Sequence, residues 1–143
     1  MAQILVIHGP NLNLLGEREP SIYGEQSLED VNRVLMEDGA KHDMKVHCFQ
    51  SNHEGDIVDR IQAARGQYDA IIINAGALSH YSIAILDALR SFPGPIIEVH
   101  ISNIFTRESY RRHSLISEAV TGGIFGLGTQ GYRLALLAAV EML

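Results

Sequence analysis

Residues 70–90 read AIIINAGALSHYSIAILDALR. Ala70–Ile73 is an unbroken apolar run rich in β-branched residues, the pattern of a strand covered on both faces. Ile83, Leu86, Leu89 and Arg90 then recur at helical spacing until Pro93 and Pro95 stop the pattern. Between strand and helix lies NAGALSHYS, a polar loop with hydrogen-bonding side chains. A buried strand that feeds an amphipathic helix is half of a parallel βαβ unit.

The same unit recurs on either side. Further apolar runs cover Ile4–His8, Val46–Phe49 and Ile96–His100, with a weaker one at Gly123–Leu127. Leu28, Val31, Val34 and Leu35 form a helical face behind Ser27 as N-cap, Ile57, Ile61 and Ala64 another, and Leu134–Met142 a third. The expected fold is α/β, a flavodoxin-like three-layer sandwich with a five-stranded parallel sheet. The chain has 143 residues, which suits a single catalytic domain over 1–143. A (β/α)₈ barrel needs about 250.

Seventeen acidic against eleven basic residues leave a formal charge of −6, which argues against a nucleic-acid partner. One cysteine, Cys48, excludes an intrachain disulfide and a cysteine-based zinc site, and it reads as an inert residue of the second strand. The N-terminus MAQILVIHGP lacks a basic start and a long apolar stretch, and no run approaches the ~20 residues of a membrane helix. The expectation is a cytoplasmic protein without a membrane partner.

The loops entering the strands, HDMK, GQYD and FPGP, are short and bland. Those leaving the strands are long and polar: GPNLNLLGEREPSIYGEQ, QSNHEG, NAGALSHYS and ISNIFTRESYRRHS. Open α/β sheets bind ligands beyond the carboxyl ends of their strands. Asn11, Arg18, Tyr23, Asn52, Asn74, His80, Glu98, His100, Ser102, Arg107, Arg111 and Arg112 are all expected near that rim. The first exit loop has 18 residues where about 2–6 are usual, which fits a lid hinged at Gly16 and Gly24. The other reading is a surface excursion pinned by Leu12, Leu14, Leu15 and Ile22.

Three chemistries compete. His8, His80 and His100 can be read as a three-histidine metal site of a hydrolase, although no HxH or HxxxH spacing supports it and His8 reads as a core residue. GLGTQG at residues 126–131 can be read as the phosphate loop of a nucleotide or flavin carrier, or as close helix–strand packing. Glu98 and His100 stand two apart on one strand, so they share a face, and the carboxylate can orient the imidazole as a proton donor. Lys41 and Lys45, the only lysines, fall at the opposite rim, which argues against Schiff-base chemistry. Tyr, His, Asn and Arg remain, a set suited to proton abstraction beside a carbonyl. A free phenol is almost wholly protonated near neutral pH, so Tyr23 as base needs cationic partners. Arg18 and either Arg107 or Arg111 are candidates.

Four segments, GPNLNLLGEREPSIYG, NAGALSHYSIAILDAL, IEVHISNIFTRESYRRHS and GLGTQGY, together resemble the type II 3-dehydroquinate dehydratases over essentially the whole chain. The resemblance implies a cofactor-free hydro-lyase of the shikimate pathway, in aromatic amino-acid biosynthesis. It converts 3-dehydroquinate to 3-dehydroshikimate through an enolate, as a homododecamer (a tetramer of trimers). It implies Tyr23 as base with Arg18 beside it, and Asn11 holding a water at the enolate oxygen. It also implies His100 as acid, oriented by Glu98. Ile101 and Ser102 are implied to bind the substrate carboxylate, and Asn74, His80 and Arg111 the ring hydroxyls. Arg107 is implied to lie near Tyr23, and Asp87 to reach in from a neighbouring subunit. The family commonly has Pro at Ala75, Asn at His8 and His at Arg112.

Overall fold

In the computed structural model, which describes residues 1–143, the apolar runs become β1 (Ala2–His8), β2 (Met44–Gln50), β3 (Ala70–Asn74), β4 (Ile96–His100) and β5 (Gly122–Phe125). They form one all-parallel sheet in the order β2-β1-β3-β4-β5, with helices on both faces, a flavodoxin-like α/β fold. Every residue of β3 and β4 is buried, as unbroken apolar runs require. The helices are α1 (Pro20–Tyr23), α2 (Leu28–Lys41), α3 (Glu54–Ala64), α4 (Ile83–Arg90) and α5 (Gln130–Met142).

The two-residue period of the strands divides the core. Ile4, Val6, Ile72, Ile97 and Val99 face α2 and α5. Leu5, Ile7, Ile71, Ile73 and Ile96 face α3 and α4. By the same alternation His8 and Asn74 fall on the α5 side, whereas Glu98 and His100 fall on the other.

Local chemistry sets the ends of elements. Ser27 and Asp30 form a reciprocal capping box at the start of α2. Three details differ from the sequence expectation. The buried stripe of α4 is Ile85, Leu86, Ala88 and Leu89. Ile83 is 64% exposed, because it lies two residues, or about 200°, from Ile85 around the helix. The helix α5 starts at Gln130, four residues before Leu134, because Tyr132 in its first turn is wholly buried. The strand β5 covers Gly122–Phe125 and not Gly123–Leu127, since Gly126 takes a φ of 83° that breaks the ladder.

Lys41 closes α2 and Lys45 opens β2, so both exposed lysines stand at the rim where strands begin. No helix is long and apolar enough to cross a membrane.

Candidate active site at the carboxyl rim

The loop after β1 turns at once, because Asn11 takes a left-handed φ of 70° and its backbone N–H donates to Asn52 Oδ1 at 2.9 Å. Leu12 and Leu15 are buried and anchor the loop, while Leu14 and Ile22 stay exposed. The loop is pinned through Leu12 and Leu15, and beyond them Arg18 and Tyr23 are half-buried while Glu17 and Glu19–Ile22 are exposed. Gly16 and Gly24 take φ values of 92° and 85°. Between them α1 ends in Tyr23.

Tyr23 meets two guanidinium groups. Arg107 Nη1 donates to its hydroxyl at 2.8 Å and reaches Ser102 Oγ at 3.3 Å. Arg18 lies over the ring, 5.0 Å from its centroid. Of the two candidates that residue types leave open, Arg107 and Arg111, it is Arg107 that makes the direct contact, as the family resemblance implies. Arg111 instead pairs through Nε with Glu108 Oε2 at 2.8 Å, at the edge of the same cleft.

On the opposite wall the Glu98 carboxylate is 2% exposed. Its Oε2 accepts from His100 Nε2 and from the Ser114 hydroxyl, and its Oε1 accepts from Ser117 Oγ. Burial pushes this carboxyl upward, but the hydrogen bonds and charge of His100, with both serines, outweigh it, so its pKa lies below the ordinary value. With Nε2–H given to Glu98, His100 Nδ1 is left without a protein partner. The His80 ring stacks on that of His100 at 6.2 Å, and its Nδ1–H donates to the His113 carbonyl at 2.8 Å. Burial lowers the His80 pKa, which favours the neutral ring.

Tyr23, Arg18 and Arg107 border one cleft of about 640 Å³ with Asn11, Asn74, His80, His100, Ile101, Ser102 and Arg111. Glu98 does not line it and stands behind His100. Asp87 is exposed on α4 and does not line its own chain's cleft. Ala75, where the family commonly has proline, has φ −80°, at the edge of proline's range, so the loop keeps that shape without the ring. Arg112 Nε donates to the Arg107 carbonyl at 3.0 Å and braces the segment that carries Arg107.

The three histidines do not converge. His8 is on the opposite face of the sheet from His100, with Nε2 on Asn32 Oδ1 at 2.8 Å and Nδ1 on the Tyr132 hydroxyl at 3.3 Å. Its burial pulls the pKa down to about 4. In the GLGTQG segment, Gly131 lies against Val99 and Ile124, the helix–strand packing role. Burial pushes the Cys48 thiol up to about 12, in keeping with an inert residue. Sequence reasoning missed Ser114 and Ser117, whose three-residue separation on one turn was the available signal. It also missed Tyr132, whose hydroxyl accepts from Asn74 Nδ2 at 3.0 Å.

The family description "Dehydroquinase class II" matches residues 2–140. The chain belongs to the class II dehydroquinases. This is a family of lyases. A 3-dehydroquinate dehydratase from Gloeothece citriformis is 54% identical over 98% of this chain and 92% of its own length. The "Catabolic 3-dehydroquinase 2" of Aspergillus flavus is 50% identical over 100% of this chain and 95% of its own. The crystal structure of a type II dehydroquinase from Propionibacterium acnes superimposes with a TM-score of 0.96 at 45% identity, over 99% of this chain and 97% of that one.

Proposed function

We propose that residues 1–143 form a single catalytic domain that eliminates water from 3-dehydroquinate to give 3-dehydroshikimate, in the shikimate pathway of aromatic amino-acid biosynthesis. The observation that carries the reading is the pairing across one cleft: Tyr23 under two guanidinium groups on one wall, and His100 backed by Glu98 on the other. Tyr23 takes the proton from C2, and the electron pair moves to the C3 carbonyl to give an enolate. Asn11 holds a water at the enolate oxygen. When the enolate collapses, the C1–C2 double bond forms and the C1 hydroxyl departs, protonated by the His100 imidazolium. Arg107 places positive charge on the phenolic oxygen and Arg18 places it over the ring, which suits a base that works as an anion. Ile101 and Ser102 bind the substrate carboxylate, and Asn74, His80 and Arg111 bind the ring hydroxyls. No cofactor is needed for this sequence of proton transfers. The working assembly is a cytoplasmic homododecamer in which Asp87 serves a neighbour's site.

The product is a conjugated enone, so the test is the rise in ultraviolet absorbance when 3-dehydroquinate is added to the protein. Tyr23→Phe is expected to keep the native circular dichroism and to lower kcat by about 10²-fold or more. Full activity in that variant removes Tyr23 as the base. No absorbance change with the native protein removes the reaction.

A further inference from the structure

Glu98 is a buried carboxylate with three side-chain partners, and only one of them is His100. The other two, Ser114 and Ser117, flank the start and middle of a short 3₁₀ turn at Leu115–Ala119 that packs on α4. Neither serine borders the substrate cleft. Both line a second cleft of about 830 Å³ on the far side of His100, together with Glu98 itself. They therefore have no access to a molecule bound beside Tyr23, and act on the site only through the carboxylate.

A carboxylate can rotate about its last side-chain bond, and a terminal torsion of that kind has a broad, shallow energy profile. A single bond to an imidazole does not fix it. Bonds to both oxygens do: Ser117 holds Oε1, and Ser114 shares Oε2 with His100. The carboxylate plane is then set by the 3₁₀ turn, and Oε2 stays under His100 Nε2. That keeps a proton on Nε2 and leaves Nδ1, which has no protein partner, as the nitrogen able to serve a substrate.

We infer that Ser114 and Ser117 are positioning residues, which lock Glu98 so that His100 keeps Nε2–H on the carboxylate and, as the imidazolium, offers Nδ1–H to the substrate in one ring orientation. The inference rests on the reading of His100 as the acid, and goes one layer further out. Groups that orient a working imidazole through its second nitrogen are worth about 10- to 100-fold in comparable metal-ligand settings.

The test compares Ser114→Ala, Ser117→Ala and the double variant with the native chain. The double variant is expected to lose tenfold or more in kcat with KM changed less than twofold, and the matching threonine variants to retain most of the activity. In a Glu98→Gln background the two serine substitutions are expected to change kcat by less than twofold, because they act through that carboxylate. Recorded at a pH where the ring is neutral, the ¹⁵N signals of the His100 ring are expected to report the Nε2–H form in the native chain and a mixture of tautomers in the double variant. Equal losses in both backgrounds, or an unchanged ring spectrum in the double variant, overturn the inference. The ring spectrum needs no substrate, so it separates failure of this inference from failure of the proposed reaction. Should the double variant fold poorly, the two single variants carry the same comparison.

Discussion

At the scale of single residues, Tyr23 has two cationic neighbours with different geometry. Arg107 touches the hydroxyl itself, and Arg18 covers the ring face at 5.0 Å. Arg107→Ala is therefore expected to cost more in kcat than Arg18→Ala, since it removes a charge-assisted hydrogen bond of about 1.5–3 kcal/mol, or roughly 10- to 150-fold. Steady-state kinetics on both variants decides it, and a larger loss for Arg18→Ala reverses the ranking. The types of these residues were legible in the sequence, because Tyr, His and Arg crowd the exit loops while lysines avoid them. Which arginine meets the phenol was not legible from residue types and spacing; only the family resemblance implied Arg107. The contact depends on how the segment from Ile104 to Ser114 folds back over the rim, through short 3₁₀ turns that no periodicity announces.

At the scale of elements, the loops after β1 and β3 touch. The Gly9 N–H donates to the Asn74 carbonyl at 2.7 Å, and a Cβ on Gly9 would stand 2.4 Å from the Ala75 backbone. No side chain fits there without parting the loop that carries Asn11 from the end of β3 that carries Asn74. Gly9→Ala is expected to cost about 1–3 kcal/mol of stability and to raise KM more than it lowers kcat. Urea unfolding and kinetics check both halves. Four of the five strands were evident from their β-branched runs. The fifth was faint because Gly122 and Gly123 begin it and it lies at the sheet edge. The first turn of α5 was hidden by the glycines around it, and what makes it helical is the burial of Tyr132, a tertiary effect that local spacing does not carry.

At the scale of the whole molecule, His8 ties the core to pH. Burial holds its folded pKa near 4, against about 6.5 for a free imidazole. The unfolded chain therefore binds a proton below pH 6.5 that the folded chain refuses. Stability is full above that pH and falls as pH drops toward 4, by about 3 kcal/mol. Glu98, whose pKa is also lowered, loses its contribution only below the ordinary glutamate range, and half-buried His80 adds to the slope in the same direction as His8. His8→Asn is expected to flatten the decline between pH 6.5 and 4.5 in denaturant titrations; an unchanged slope would place the proton uptake elsewhere.

Assembly belongs to the same scale. Asp87 is exposed on α4, away from its own cleft. If it completes a neighbour's site, Asp87→Ala and Tyr23→Phe chains, each impaired alone, recover activity when refolded together. Subunits that mix without recovery remove Asp87 from the neighbour's site.

The sorting of lysines to one rim has a practical side. Both exposed lysine amines stand where strands begin, and the cleft opens where strands end. A solid support that captures lysine amines grips the molecule by its base and leaves the mouth facing the liquid. The loop from Gly16 to Gly24 stays clear of the matrix, so the immobilised catalyst presents its site to the flow without any engineered tether.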